Sequence, residues 1–317
     1  MGSNRPTAKT KTNRDRITET VLFAFGYDII AMYLCFQGGC MTYPEIVTAL
    51  RNAGVDEPEH EARLLIERYS HRTMADVLSA RNQNYTEGTL LEAVRERCTR
   101  RPLQYIIGEW PFWNETYRVH EGCLIPRPDT EILVETAIAR LPRHTVFWDL
   151  CSGSGCVGVS VLASRKDLKC FAADIEPIAV KLTKENAALN GVEGRICVQR
   201  LDLFAEDAWN IPEEYLRPVC ILSNPPYIPA GQIDGLAEEV RREPRLALDG
   251  GEDGLRFYRR LIEIGADVIP PEGRMMWEIG AGQHPAIADL ARESGYCVEF
   301  IKDLAGIERV AVLSRNG

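Results

Sequence analysis

From Val146 to Gly158 an apolar run ends in the acid Asp149 and breaks into a loop with Gly153 and Gly155, before Gly158 and a second apolar stretch. Few folds tolerate that order. Glycine lets a chain turn sharply and approach a ligand closely, and a helix starting after such a loop offers unpaired N–H groups at its first turn. The pattern predicts strand, tight turn and helix, the opening unit of a mostly parallel sheet. Its G-x-G-x-x-G spacing alone fits a nucleoside-binding turn or a turn needing glycine only for packing.

The rest of the chain matches that start. Apolar strands are predicted over 145–150, 169–174, 195–200, 219–223, 274–279, 296–301 and 310–314, with helices over 131–140, 157–164 and 178–189. Such alternation implies a parallel sheet covered on both faces. The connection around Leu304 to Gly306 is too short for a parallel return, so the last two strands should run antiparallel. Earlier, 42–108 reads as helical: Ile46, Ala49 and Leu50 recur at helical spacing, Gly54 stops the segment, and further helices follow over 57–69, 73–78 and 90–98. Residues 110–127 are rich in aromatic and β-branched types, with Asn114-Glu115 as a candidate turn, and read as a linking hairpin. The expected fold is α/β: a Rossmann-like seven-stranded domain over 128–317, preceded by the hairpin (110–127) and a small helical domain (41–109).

Residues 1–40 stand apart. A basic, polar start from Asn4 to Arg16 leads into an apolar stretch broken by Asp28. The outline resembles a signal peptide, but the charged part is long and no small-residue cleavage site follows. The stretch is also short and flawed for a membrane span. Met41 is the expected true start, because Thr42, Pro44 and Glu45 follow as a capping box with an early proline.

Composition narrows the function. A formal net charge of −9 opposes binding to a phosphate backbone, whose nonspecific affinity comes from clustered Lys and Arg; a local basic patch remains compatible with it. The 10 cysteines show no paired C-x-x-C spacing, and Cys151, Cys156, Cys170, Cys197 and Cys220 sit in apolar runs. That reads as reduced, buried thiols in a cytoplasmic protein, with neither a metal site nor a membrane segment expected. His120 and His144 have no partner at useful spacing and read as structural. A monomer is the default expectation.

Three acids stand at or near the ends of three strands. Asp149 suits a cationic amino-acid moiety and repels pyrophosphate, which favours S-adenosylmethionine over NAD. Asp174 ends the second strand and can accept both ribose hydroxyl protons. Asp202 can accept from an adenine amino group, or simply form a turn. The expected cofactor contacts are Asp149, Cys151, Ser152, Gly153, Ser154, Gly155, Asp174, Ile175, Asp202, Leu203 and Asn224. The fourth strand runs into Asn224-Pro225-Pro226-Tyr227. A conjugated nitrogen is a poor nucleophile because its lone pair is delocalised. The Asn224 side-chain oxygen and the Pro225 carbonyl can each accept one N–H of a planar NH2 group, fixing it for in-line attack on a sulfonium methyl. Tyr227 can stack on the target, or be a buried aromatic with a satisfied hydroxyl. Asn224, Pro225 and Tyr227 are the expected catalytic residues.

On these motifs the chain from Thr42 onward resembles the protein-(glutamine-N5) methyltransferases that modify peptide chain release factors. Further segments carry the resemblance: Arg101 to Gly108, Leu124 to Glu131, Glu243 to Gly251, Asp253 to Leu255, and Tyr258. Cys151-Ser152 stands where that family usually has Gly-Thr. The resemblance implies methyl transfer from S-adenosylmethionine, leaving S-adenosylhomocysteine, to the glutamine of the Gly-Gly-Gln loop in bacterial-type release factors. It also implies a helical domain that helps recognise them. Substrate contacts would come from Asn224, Pro225, Pro226 and Tyr227. Phe112 would wall the glutamine pocket or serve domain packing. Arg127 would organise the entrance or pair with an acid such as Glu131. The alternatives are an amino-methyltransferase on adenine or cytosine in nucleic acid, a non-catalytic relic of the fold, and an NAD enzyme. DNA is not expected as a partner.

Overall fold

The computed structural model describes residues 39–80, 82–205 and 209–315, so the expectation for the segment before residue 39 falls outside the described residues. The chain divides into two compact units between Ile106 and Ile107.

The first unit is helical, with α1 (Tyr43–Asn52), α2 (Pro58–Ser70), α3 (Met74–Ser79), α4 (Gly88–Cys98) and α5 (Leu103–Ile107). Strands β1 (Met41–Thr42) and β2 (Asn84–Tyr85) pair antiparallel. The Glu45 carboxylate accepts from the Thr42 N–H at 2.7 Å and the Thr42 hydroxyl at 2.8 Å, tying down the start of α1. Ile46 and Leu50 of α1, Leu65 and Ile66 of α2, and Leu90 and Val94 of α4 are fully buried. Their spacing places them on single helix faces that bury against one another. Arg97 is buried too, and its guanidinium meets Glu61 at 2.5 and 3.0 Å, so the charge is paired.

The second unit opens with a hairpin, β3 (Glu109–Phe112) and β4 (Glu115–Arg118). Phe112 pairs with Glu115, so the turn is Trp113-Asn114, one residue before the expected position. Trp113 adopts φ +56°, as two-residue hairpin loops require of an early turn residue. Residues 119–127 are irregular rather than strand.

Seven strands form the main sheet: β5 (Val146–Leu150), β6 (Lys169–Asp174), β7 (Ile196–Arg200), β8 (Cys220–Ser223), β9 (Arg274–Glu278), β10 (Tyr296–Lys302) and β11 (Glu308–Arg315). Their order is β10-β11-β9-β8-β5-β6-β7. β5 through β9 pair in parallel, whereas β11 runs antiparallel to both β10 and β9. The antiparallel end was expected; the insertion of β11 between β9 and β10 was not. Helices α6 (Glu131–Arg140), α7 (Cys156–Ser164), α8 (Pro177–Leu189), α9 (Glu238–Arg241), α10 (Arg256–Val268) and α11 (His284–Glu293) complete the unit. The last three are missing from the expected set.

Strand residues alternate between two apolar cores. Phe147, Cys170, Leu222, Met276 and Val312 join Leu133, Val134, Val157 and Leu162 on one face. Trp148, Phe171, Ile221, Met275, Trp277 and Leu313 join Tyr258, Leu261, Ile287 and Ala291 on the other. Both faces of every central strand are therefore apolar, which is why these strands read as continuous hydrophobic runs. After β5 the chain moves outward to β6 and β7, then lays β8 against the opposite side of β5. That reversal opens a crevice at the carboxyl ends of β5 and β8, where open α/β sheets bind ligands.

Candidate active site

The crevice is a cavity of the second unit, walled by the glycine loop, the turns after β6 and β7, the start of the Asn224 motif and the 244–247 segment. In the glycine loop Cys151 (φ +61°), Gly153 (+54°) and Gly155 (+80°) all occupy the left-handed region. Cys151 thus holds, with a side chain, a conformation that usually selects glycine, at a cost of about 1–2 kcal/mol. A Cβ on Gly155 would sit 2.8 Å from Thr183 Cγ2, and one on Gly158 would sit 2.8 Å from Asp149 Oδ2. Both glycines therefore allow close packing. Gly155, expected as a cofactor contact, does not line the cavity, because it turns toward α8. Cys151, Ser152, Gly153 and Ser154 do line it.

The three acids differ. Asp149 is almost fully buried, and its Oδ2 accepts from the Gly158 N–H at 2.9 Å. Burial pushes its pKa up to about 7; the Gly158 bond resists, and the charge of Asp174 adds to the rise. Asp174 accepts from the Gly153 N–H on Oδ2 at 2.8 Å and from the Glu176 N–H on Oδ1 at 3.0 Å. Burial raises its pKa while those N–H groups oppose the shift. Asp202 is exposed, and its Oδ1 accepts from the Phe204 N–H at 2.8 Å, the turn-forming alternative. Ile175, Asp202 and Leu203 nevertheless line the cavity beside Phe204, Arg256 and Phe257. The Arg256 guanidinium stacks 4.2 Å above the Phe204 ring.

At the end of β8, the half-buried Asn224 donates from Nδ2 to Thr130 Oγ1 at 3.1 Å. Thr130 in turn donates to Glu278 Oε2 at 2.5 Å, and Tyr227 donates its hydroxyl to Glu278 Oε1 at 3.1 Å. Glu278, at the end of β9, is 2% exposed. Burial pushes its pKa up to about 7, against the bonds from Thr130 and Tyr227. Gln283 donates to the Tyr227 carbonyl at 2.9 Å. Gly250 lies so close to the Tyr227 backbone that a Cβ would come within 2.8 Å of it. Asn224 and Pro226 line the cavity; Pro225 and Tyr227 do not. For Tyr227 the structure displays the anchored-hydroxyl alternative.

Two other expectations are corrected. Arg127 lines the cavity, but its acid is the buried Glu243, not Glu131. Glu243 also accepts from the Ile125 N–H at 2.9 Å, whereas Glu131 accepts from the Trp113 N–H at 2.7 Å. Phe112 is 2% exposed, packs edge-on against Tyr117 at 5.8 Å and lies away from the cavity. The register of the hairpin turns it into the core, so it is a packing residue. Sequence reasoning missed Thr130, Glu278, Gln283, Arg256 and Phe257. Of these, only Glu278 carried a legible signal, an acid ending an apolar strand at the ligand-binding edge. Among the described residues no group of three His, Cys, Asp or Glu could hold a metal, and no helix is long and apolar enough to cross a membrane.

Comparison with known proteins extends this picture. Residues 45–108 match the family described as the PrmC N-terminal domain, and residues 128–251 match the methyltransferase small domain. The chain is similar to a release factor glutamine methyltransferase of Thermodesulfovibrio yellowstonii, 39% identical over 234 residues, covering 72% of this chain and 81% of that protein. One from Cereibacter sphaeroides is 39% identical over 274 residues (83% and 94% covered). One from Moorella thermoacetica is 34% identical over 280 residues (86% and 96% covered).

Proposed function

The chain belongs to the release factor glutamine methyltransferase family, and on that premise we propose that it transfers a methyl group from S-adenosylmethionine to the N5 nitrogen of the Gly-Gly-Gln glutamine in bacterial-type release factors. The observation that carries this reading is that Asn224, an amide poised on a buried relay, faces the same cavity as the Asp149 and Asp174 carboxylates.

The residues fit the cofactor. Asp149 is a buried carboxylate whose proton a cationic group would displace. Asp174 has each oxygen anchored by one backbone N–H, leaving lone pairs for the ribose hydroxyls. Asp202 and Leu203, beside Phe204 and Arg256, form the adenine end. The cofactor supplies an electrophilic methyl on a positively charged sulfur. The protein supplies position: Asn224 Oδ1 and the Pro225 carbonyl accept the two N–H groups of the target amide, holding its nitrogen in line with the methyl carbon. A strong base is not required, because the nitrogen becomes acidic as the new bond forms and sheds one proton to solvent. Pro226 and Arg127 edge the target side, and the first unit helps recognise the release factor. The enzyme acts as a monomer in the cytoplasm.

The test is transfer of radiolabelled methyl to purified release factor, beside a Gln→Ala variant of its Gly-Gly-Gln loop and duplex DNA. Label confined to the wild-type factor is expected. Label on DNA, or equally on the variant, would overturn the substrate and favour a base amino group instead.

A further inference from the structure

We propose that Glu278 and Thr130 are positioning residues that set which way round the Asn224 amide faces, so that its oxygen and not its NH2 meets the target nitrogen. The inference rests on the reading above and adds two residues to its machinery.

An ionised carboxylate can only accept hydrogen bonds. Glu278 Oε2 therefore draws the single Thr130 hydroxyl proton toward itself, at 2.5 Å. That leaves Thr130 Oγ1 only lone pairs to offer Asn224, at 3.1 Å. Lone pairs can be met only by the Asn224 NH2 group, so Oδ1 is turned away from Thr130. Reversing the amide would set donors against the donors of a target NH2 and remove an acceptor. Without a partner of fixed polarity, both orientations of a terminal amide occupy nearly the same space.

The relay holds while Glu278 is ionised. The Tyr227 hydroxyl on its Oε1 and the Arg309 guanidinium favour the charge; burial and Asp129 oppose it. Tyr258 on α10 donates to the Glu278 backbone carbonyl at 3.0 Å, and the Cys156 thiol lies within electrostatic reach. The balance leaves Glu278 titrating at about 7. Below that pH the carboxyl acquires a proton, becomes a donor and frees the Thr130 hydroxyl to donate to Asn224, which loses the fixed polarity.

The test compares kcat on purified release factor, at saturating S-adenosylmethionine, for wild type, T130V, T130S and E278Q. Calorimetric cofactor affinity is measured on each. T130V is expected to lower kcat by about 10- to 100-fold with cofactor Kd within about twofold, and T130S to stay within about threefold of wild type. Wild-type kcat should fall as pH drops through about 7, whereas E278Q, which does not titrate, should be low and flat there. The relay is refuted if T130V keeps kcat within about twofold, if T130S loses as much as T130V, or if E278Q retains the acid limb. Should T130V fail to fold, the E278Q profile decides alone: a lost acid limb supports the relay and a retained one sinks it. Wild-type protein inactive on release factor would overturn the substrate reading instead, so the two failures are distinguishable.

Discussion

Around Asp174 the cavity wall comes from segments that directly follow β5, β6 and β7, and its acids are anchored by backbone N–H groups between 2 and 21 residues away. Around Asn224 the anchors are side chains from elsewhere: Thr130 lies 94 residues back, and Tyr227 reaches 51 residues forward to Glu278. The cofactor side is built by local geometry, the target side by long-range partners. Substitutions on the first side should therefore act mainly on affinity, and substitutions on the second mainly on turnover.

Asn224→Ala gives the largest expected effect. It removes the acceptor aimed at the target, and kcat should fall about a thousandfold while cofactor Kd moves less than about threefold. A parallel loss of affinity in calorimetry would erase the distinction between the two sides. Asp174→Ala is the converse case: loss of two hydrogen bonds from a charged group should weaken cofactor binding about a hundredfold, and turnover at saturation should largely recover. Asp149 supplies a pH test. Its pKa is raised to about 7, so it is protonated below that pH and cofactor Kd should rise as pH falls through about 7. Asp149→Asn should bind about tenfold more weakly at high pH and lose that dependence. An unchanged profile would show that the cation lies elsewhere. The smallest effect is expected for Cys151→Gly. Relief of the left-handed strain is offset by glycine's greater freedom when unfolded, so stability should change by less than about 1 kcal/mol in denaturant titration. A larger loss would mean that the thiol itself holds the loop.

Legibility in the sequence follows the same division. The seven strands were readable because both cores draw on alternate residues of each strand, as with Trp148 and Phe147. The α10 helix was missed although Tyr258, Leu261, Ile262 and Gly265 recur at helical spacing, because the Gly- and Asp-rich segment before it obscured its start. Tyr227 and Phe112 were named for their chemistry, but the Tyr227 hydroxyl is claimed by Glu278 and the Phe112 ring by Tyr117, partners that no motif reveals.

The sequence by itself determined the strand–loop–helix unit, the acids at or near the ends of three successive strands and the Asn224 motif, because the residue types and spacings that mark them are contiguous in the chain, even where their hydrogen bonds reach far along it. Only the tertiary structure decided that Arg127 pairs with Glu243 across 116 positions and that Thr130 meets Glu278 across 148. The physical reason is that a hydrogen bond between distant side chains imposes no periodicity on the chain. Its partners become neighbours only when the sheet order sets β9 beside β8 and the turn before α6 meets the ends of both.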